Sequence, residues 1–514
     1  MPIDAPDRIV PVQTPCVRLH PADNVVVATT ALARGVALES EGVVTRTPIP
    51  PGHKLATADI ARGSPVRKFN QTIGVATADI LAGEHVHTQN CGMTEFTRLA
   101  ERTESWRVPS LGPRTFDGYR RENGTVGTRN YIGILTSVNC SGTVARSIAD
   151  AVERSGMLAQ FPTVDGIVPI VHNTGCGIPD SGEGYDTLQR TLSGYAKHPN
   201  FGAVLMVGLG CEVVQIASFK TAHGLQESPR FQTFTIQDSG GTRRAIEAGI
   251  ARIQEILPIV AQAVRSPVPA SEVALALQCG GSDGYSGITA NPALGAAADL
   301  LVALGGTVIL SETPEIYGAE HLLLGRAATA ETAQKLRERL SWWRSYAERN
   351  GAELNNNPTP GNKLGGLTTI LEKSLGAVAK GGTSPLQDVI RYAEPLTSRG
   401  LVFMDSPGFD PCSATGQVAS GATVICFTTG RGSVFGCKPV PSLKLATNAD
   451  LFRRMRDDMD VNCGDIIEDG TTIGTKGLEI LQAVLAAASG QPTKSEQLGF
   501  GAAEFVPWQI GAVL

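Results

Sequence analysis

The sequence predicts a multidomain α/β protein, and three observations lead to that fold class. The chain of 514 residues is long enough for several domains with complete cores. From Tyr119 onward, short apolar runs bounded by glycine alternate with helical patterns, which is typical of buried parallel strands. Residues 1–95 instead show short β-branched strands and turn signals, so they predict a small β-rich domain.

Composition marks the joints between these parts. Residues 96–117 are charged and then proline-rich, which predicts a linker, and residues 265–271 form a second proline-rich joint. We therefore expect a β-rich domain in residues 1–95, an α/β domain in 118–265 and a C-terminal α/β domain in 272–514.

Apolar spacing and capping residues predict the longer helices. The pattern indicates helices over residues 144–154, 242–264, 292–304 and 330–349. Residues 356–366 are polar and glycine-rich, and we expect them to form a loop.

Charge and hydropathy exclude several classes of protein. The net charge of −5 gives no electrostatic footprint for nucleic acid. No apolar run approaches the roughly 18–20 residues that cross a bilayer, and no signal peptide is evident. The ten cysteines are irregularly spaced, unlike a disulfide scaffold, so we expect a cytoplasmic protein.

Four apolar runs each end at a potential metal ligand. The ligands are Cys140, His172 with Cys176 just beyond it, Cys211 and Cys279. Because ligands bind outside the carboxyl ends of parallel strands, we expect these side chains to converge on one crevice. Thiolate and imidazole suit iron or zinc, although a single buried cysteine is more often a small hydrophobe. The absence of a Cys-x-x-Cys pair disfavours a zinc ribbon.

The turn after the fourth run is a candidate anion cradle. Backbone N–H groups at Gly280, Gly281, Ser282 and Asp283 could bind a carboxylate or a phosphate, while a purely structural turn is the alternative. The dinucleotide fingerprint fails throughout the chain, so no nicotinamide cofactor is predicted.

Charged residues and histidines supply further candidates for binding and catalysis. Asn362 and Lys363 lie in the polar loop, where a lysine can contact a carboxylate or act as a base. Glu312 follows a predicted strand, and Arg431 is a candidate carboxylate clamp. The N-terminal part carries His20, His53, His85 and His87; the first two are the stronger functional candidates, and structural roles are the alternative.

Eight motifs in one order closely resemble those of the altronate dehydratase and galactarate dehydratase family. They are Leu19-His20-Pro-Ala-Asp23-Asn24, Pro51-Gly-His53-Lys54, Gly118–Asn130, His172-Asn-Thr-Gly-Cys176, Gly208-Leu-Gly-Cys-Glu212, Cys279–Pro292, Asn357-Pro-Thr-Pro-Gly-Asn-Lys363 and Thr428-Thr-Gly-Arg-Gly432. The resemblance implies an N-terminal SAF-like β domain, a Rossmann-like second domain and a distinctive C-terminal α/β domain. It also implies loss of water from a sugar acid to give a 2-keto-3-deoxy acid, activated by ferrous iron, with Mn²⁺ as a substitute.

The substrate branch is mixed in this sequence. Residues 82–87 and 315–321 look more like the altronate branch, whereas residues 435–441 look slightly like the galactarate branch. We expect an altronate-like aldonate, with galactarate or a C5 aldonate such as arabinonate as alternatives, and a homo-oligomer, dimer or larger. An iron–sulfur redox protein and a non-catalytic sugar-acid binding protein are the readings from other classes.

The residues fit the chemistry that this resemblance implies. Our hypothesis is that Cys140, Cys176, Cys211 and Cys279, with His172 as a further candidate, hold iron. His20 or His53 would act as acid or base, and Lys363 and Arg431 would grip the carboxylate. Two alternatives stay open: the histidines bind the metal and the cysteines pack, or the cysteines hold an iron–sulfur cluster with one open iron.

Overall fold

The computed structural model describes residues 14–93 and 106–513. Residues 1–13 of the predicted N-terminal domain and residues 94–105, which include most of the charged half of the predicted linker, lie outside the described residues, as does residue 514. Within the described ranges the protein is mixed α/β, with a β-rich N-terminal region followed by two parallel sheets.

The N-terminal region consists of nine short strands in antiparallel sheets. The strands are β1 (Cys16–Val17), β2 (Val25–Ala28), β3 (Ala37–Leu38), β4 (Val43–Val44), β5 (Lys54–Ala56), β6 (Pro65–Lys68), β7 (Gln71–Ala76), β8 (His85–Val86) and β9 (Cys91–Gly92). They form sheets β1-β2-β5-β8, β6-β7-β9 and β3-β4. β2 and β5 are fully buried, so they are apolar apart from Lys54.

The second region is built on a four-stranded parallel sheet of order β13-β12-β14-β15. Its elements are β10 (Thr115–Arg120), β11 (Val126–Gly127), β12 (Tyr131–Thr136), α1 (Gly142–Ser155), β13 (Gly166–Ile170), α2 (Glu183–Ala196), β14 (Phe201–Gly208), α3 (Ile216–His223), β15 (Phe231–Thr235), α4 (Thr242–Val260) and β16 (Ser266–Pro269). All eight residues of β14 are buried, as expected for a parallel strand covered on both faces. Part of the segment predicted as a joint, residues 265–271, forms β16, which pairs antiparallel with β10.

The C-terminal region contains a seven-stranded parallel sheet of order β19-β20-β18-β17-β21-β22-β23. Its elements are β17 (Ala274–Cys279), α5 (Ala290–Ala303), β18 (Thr307–Leu310), α6 (Glu320–Leu324), α7 (Ala330–Arg349), α8 (Pro360–Leu364), α9 (Ile370–Ala379), β19 (Leu386–Ile390), β20 (Gly400–Met404), α10 (Asp410–Ser420), β21 (Val424–Thr429), β22 (Ser442–Ala446), α11 (Ala449–Arg454), β23 (Val461–Asn462), α12 (Asp465–Glu468), α13 (Ile473–Ala488) and α14 (Lys494–Gln497).

Local signals explain one success and one error in the predicted helices. The helix over residues 330–349 has the predicted bounds, because the Thr329 side chain caps its first turn by accepting from the Thr332 N–H. The expected loop at 356–366 instead contains α8, which starts at Thr359 with a reciprocal capping box and a proline in its first turn.

One hydrophobic core joins the N-terminal region to the C-terminal sheet. It includes Val66 and Ile73 from the first region and Leu275, Leu294 and Leu375 from the last. The β-rich region is therefore packed against the seven-stranded sheet. No helix of the described part of the chain is both long and apolar enough to cross a membrane.

Candidate active site

A cavity of about 530 Å³ opens at the carboxyl edge of the seven-stranded sheet. Cys279 ends β17, Glu315 follows β18, and Asp410 begins α10 after β20. Its lining further includes Gly280, Gly281, Trp343, Tyr346, Asn357, Thr359, Asn362, Lys373 and Phe409. Since ligands bind outside the carboxyl ends of parallel strands, this cavity is the candidate active site.

Buried charges cross-link the floor of the cavity. The Lys380 ammonium donates to Cys279 Sγ at 2.9 Å and lies 3.5 Å from Glu312 Oε2. The Lys373 ammonium donates to Glu315 Oε1 at 2.8 Å, and Glu315 Oε2 lies 3.5 Å from Cys279 Sγ. All five side chains are at least nine-tenths buried, so each charge depends on its neighbours for stabilisation.

The two glutamates of this cluster have opposite shifts in pKa. Burial, together with the charge of Glu315, raises the pKa of Glu312 well above its usual range. Although burial opposes it, the Lys373 and Lys380 ammonium groups lower the pKa of Glu315. Glu312 is also strained, with φ of 73°, and neither of its carboxyl oxygens has a hydrogen-bond partner among the described residues. A protonated and an ionised carboxyl side by side are typical of acid–base sites.

Asp410 has the pKa of a base poised near neutrality. Burial and the negative charge of Glu315 raise the pKa of Asp410 to about 6. Gly280 makes room for it, because a Cβ at residue 280 would collide with Asp410 Oδ2. The predicted oxyanion role of the Gly280 N–H is wrong, since that group donates to the Thr428 carbonyl at 3.1 Å.

The segment before and within α8 forms another part of the lining. Asn357 accepts from Lys373 Nζ at 2.5 Å and donates to Glu315 Oε1 at 3.0 Å. The Asn362 amide donates to the Ser282 carbonyl at 2.8 Å and thereby ties α8 to the turn after β17. Asn362 and Gly281 therefore both line the cavity. The amide group of Asn362 is already engaged in holding the α8 segment in place.

Other predicted binding residues do not line the cavity. Asp283 is buried and accepts from Ser286, Thr447 and Asn448, so it holds the turn together instead of binding a ligand. Arg431 is exposed. Ser282, Lys363 and Glu312 are also outside the lining, although Glu312 lies directly behind Cys279.

The two predicted acid–base histidines lie elsewhere in the N-terminal region. His20 Nδ1 accepts from the Ala22 N–H at 3.0 Å within a local turn. His53 is buried, with Nδ1 3.0 Å from His85 Nε2 and Nε2 3.2 Å from the Leu364 carbonyl. Neither histidine is among the residues that line the cavity.

His53, His85 and His87 form a group with the properties of a metal site. One ring nitrogen of each lies within 4.8 Å of the other two. Burial lowers the pKa of His53, that of His85 to about 3 and that of His87 to about 4, so the neutral, metal-binding form prevails. Nδ1 of His87 is buried, and no described residue is its hydrogen-bond partner. The bond from His53 Nε2 to a carbonyl is the usual support for a ligand histidine.

A buried ion triad joins the histidine-bearing region to the active-site region. Glu372 accepts from Lys54 Nζ and Lys68 Nζ, each at 2.9 Å. Although burial opposes it, the two ammonium groups hold the pKa of Glu372 far below its usual range. Lys68 also lines a small internal cavity, together with Cys279 and Lys373. The N-terminal region therefore closes one side of the active site.

The five predicted metal ligands do not form one site. Cys279 is buried in the C-terminal cluster, whereas Cys140, Cys176 and Cys211 are exposed at the carboxyl edge of the four-stranded sheet. His172 is buried and both ring nitrogens are engaged: Nε2 with the Thr136 carbonyl at 3.0 Å and Nδ1 with the Thr174 N–H at 3.3 Å. His172 therefore supports a loop and has no nitrogen left for a metal.

Two parallel sheets, with carboxyl groups whose pKa values are shifted in opposite directions at a strand-end cavity, define an enzyme of the acid–base class. Three family models match consecutive parts of the chain. The altronate/galactarate dehydratase SAF domain matches residues 14–94, the D-galactarate dehydratase/altronate hydrolase second domain matches 118–261, and the D-galactarate/altronate dehydratase C-terminal domain matches 270–513.

Curated relatives extend over nearly the whole chain. Altronate dehydratase of Bacillus subtilis (strain 168) is 35% identical over 490 residues, which are 94% of this chain and 97% of the relative. Altronate dehydratase of Escherichia coli (strain K12) is 35% identical, with the same coverage of both chains. Galactarate dehydratase (L-threo-forming) of the same strain is 36% identical and covers 94% of each chain. The chain therefore belongs to the altronate/galactarate dehydratase family.

Sequence reasoning missed the lysines and the aspartate of the cavity. Lys373 and Lys380 were considered beside Lys363, but a surface position was the default expectation for both, and Asp410 was not selected at all. The available signal was position, since Asp410-Pro-Cys412 starts a helix directly after a predicted strand. His85 and His87 were ranked below His53, although the alternation of a strand places them on one face.

Proposed function

We propose that this protein removes water from a sugar acid, an altronate-like aldonate, and yields a 2-keto-3-deoxy acid. The observation that carries the proposal is the strand-end cavity, which Asp410, Lys373 and Cys279 line, with Glu312 behind Cys279. Family membership and relatives named for altronate and galactarate support it. Galactarate and C5 aldonates such as arabinonate are the alternative substrates.

Asp410 is the base in this proposal. Dehydration breaks the C2–H bond beside the carboxylate, forms the C2–C3 double bond and expels the C3 hydroxyl. Ionised Asp410 takes the C2 proton. The resulting enol becomes the 2-keto acid by losing its C2 hydroxyl proton to solvent and gaining a proton at C3. A base with a pKa near the working pH combines availability with driving force.

The Cys279–Glu312 pair is the proton source for the leaving hydroxyl. Burial raises the pKa of Cys279 to about 12, so its thiol at the cavity wall holds its proton. Glu312 stands within 4.8 Å behind it, and burial raises the pKa of Glu312, which favours its protonated form. A proton passed to the hydroxyl produces water, and the proton on Asp410 restores the pair through solvent.

Lys373 supplies charge for the substrate carboxylate. Deprotonation at C2 places a second negative charge on that carboxylate, which is the costly feature of the transition state. Lys373 lines the cavity and is held by Glu315 and Asn357, so its ammonium group is oriented in advance.

The expected metal fits the three histidines better than the cysteine–glutamate group. Cys279, Glu312 and Glu315 also lie within 4.8 Å of one another, but Lys380 and Lys373 already supply two positive charges there. Among the described residues His53, His85 and His87 make no hydrogen bond to a cation, although the charge of Lys54 acts on all three, and their neutral nitrogens suit Fe²⁺ or Mn²⁺. A divalent ion held there would supply Lewis-acid polarisation to an oxygen that reached it, and the His53–Leu364 hydrogen bond places the three histidines against α8, which borders the cavity.

A substrate panel tests the proposal. Anaerobically purified protein loaded with ferrous iron is incubated with aldonates and aldarates, and 2-keto-3-deoxy acids are detected with semicarbazide. We expect product from altronate or a related aldonate, whereas product from galactarate alone would move the protein to the aldarate branch. Binding of the acids without any keto acid would overturn the proposal and leave a binding protein.

A further inference from the structure

The cysteines of this chain divide sharply by exposure. Seven of the ten are buried and three are exposed: Cys140, Cys176 and Cys211. Cysteine is among the most buried residue types, so its exposure is unusual. All three exposed cysteines follow neighbouring strands of one parallel sheet, β12, β13 and β14, at the carboxyl edge. The active-site cluster uses none of them.

The three loops that carry these cysteines are bonded to one another. The Asn139 N–H donates to the Thr174 carbonyl at 2.9 Å, and the Val213 N–H donates to the Gly175 carbonyl at 3.1 Å. Gly175 has φ of 97°, and a Cβ there would collide with the Ser137 carbonyl. The middle loop therefore lies directly against the other two, so the three cysteines stand on adjoining loops.

A buried carboxylate stiffens the same edge. Glu212 accepts from the Ser137 hydroxyl at 2.5 Å and from the Gly210 N–H at 2.6 Å, and so ties the loop after β14 to the loop after β12. The Gln237 amide donates to Cys211 Sγ at 3.4 Å. Hydrogen bonds to ligand sulfur are a regular feature of thiolate metal centres.

The thiols are too far apart for a single tetrahedral ion as the loops now stand. Metal–sulfur bonds of about 2.3 Å in a tetrahedral site put the ligand sulfurs about 3.8 Å apart. The three sulfurs do not all lie within 4.8 Å of one another, because the described residues contain only two such groups and neither includes these cysteines. A mononuclear ion would require the loops to close up, whereas a larger inorganic core spans a wider gap.

We propose that Cys140, Cys176 and Cys211 hold a four-iron, four-sulfide cluster through three thiolates and leave its fourth iron without a protein thiolate. This is a site separate from the three histidines and from the Cys279 cluster. The proposed iron–sulfur cluster does not depend on the sugar-acid reaction, because the iron and sulfide that the protein binds are measured without substrate.

Packing contacts link the loop that carries Cys176 to the wall of the active-site cavity. α2 follows the Cys176 loop and packs on α10, which starts at Asp410. Gln509 bonds to Asn173 beside that loop, and the neighbouring Trp508 stacks on Trp343 of the cavity wall with ring centroids 5.4 Å apart.

Anaerobic reconstitution with ferrous iron and sulfide tests the proposal. We expect about four irons and four acid-labile sulfides per chain and a broad visible absorption band. Cys140→Ser, Cys176→Ser and Cys211→Ser should each lose the band and most of the sulfide. Because these side chains are exposed, the thermal unfolding midpoints of the metal-free variants should match that of the parent.

Two controls make the outcome decisive. Cys463→Ala, which changes a fully buried thiol outside both sites, should keep the cluster. Cys279→Ser should also keep it; loss there would mean a four-thiolate site and would overturn the proposal. Iron bound without sulfide would overturn the proposal as well. The same holds if a His87→Ala variant binds no iron at all, because all the iron of the parent would then belong to the three histidines.

Discussion

The carboxyl edges of the two parallel sheets carry the same residue type in opposite surroundings. Cys279 ends a strand of the seven-stranded sheet, is 2% exposed, and accepts from the Lys380 ammonium group. Cys211 follows a strand of the four-stranded sheet, is exposed, and accepts only an amide N–H from Gln237. One edge is packed with ion pairs beneath the N-terminal region, and the other is open to solvent.

The difference shows that strand-end position and chemical role are set separately. The carboxyl ends of parallel strands all lie at one edge of the sheet, so the residues that end the strands meet there whatever their type. Burial then decides their chemistry: it raises the pKa of Cys279 to about 12 and makes it a proton holder. An exposed thiol is accessible to metal and solvent, so the open edge is suited to ligand chemistry.

The largest effect should come from the base of the buried edge. Asp410→Asn removes the group that accepts the C2 proton, and we expect kcat to fall by about 10²–10⁴-fold. Initial rates of keto-acid formation measure it. Asp457→Asn, a change at an exposed aspartate, is the matched control and should leave the rate unchanged. Near-normal turnover of the Asp410 variant would place proton abstraction elsewhere.

The second effect concerns the triad that covers the buried edge. Glu372→Gln leaves Lys54 and Lys68 as buried ammonium groups without a counter-charge. We expect the free energy of unfolding to fall by about 3–5 kcal/mol, measured by urea denaturation. Glu331→Gln alters a carboxylate that is 80% exposed and should change stability by less than about 0.5 kcal/mol. Equal stability of the two variants would contradict the importance of the triad.

A pair of alanine substitutions compares the two edges directly. Cys279→Ala deprives the buried Lys380 ammonium of a hydrogen-bond acceptor and should cost about 1–3 kcal/mol of unfolding free energy. Cys211→Ala in metal-free protein should cost less than about 0.5 kcal/mol. If both cost the same in urea titrations, burial does not distinguish the edges as we argue.

The smallest effect is a change with pH. Asp410 is active when ionised and its pKa is raised to about 6, so kcat/KM should be level above pH 6 and fall about tenfold per pH unit below it. Glu315, Lys373 and Lys380 are the charged groups that face it. A pH profile of initial rates measures the effect, and a flat profile down to pH 5 would exclude Asp410 as the base.

The sequence predicted elements and family well, because both depend on local patterns. The apolar runs before Cys140 and Cys279 are buried strands, and the ordered motifs identified the family correctly. It could not show that Lys380 bonds to a thiol 101 residues away or that His172 spends both nitrogens on loop backbone, since these depend on tertiary packing. The domain boundaries, the metal and the oligomeric state stay predictions.

The shared core between the N-terminal region and the seven-stranded sheet restricts how a substrate reaches the active site. Val66 and Ile73 are interleaved with Leu275 and Leu375 in one continuous apolar cluster, and swinging this region aside like a lid would expose all of it to water. Sugar acid and product must therefore enter and leave on the side away from the N-terminal region, past Trp343, Tyr346 and the half-exposed Phe409. A bulkier or charged side chain at one of these three positions should slow substrate entry and product release, while the buried proton-transfer groups stay unchanged.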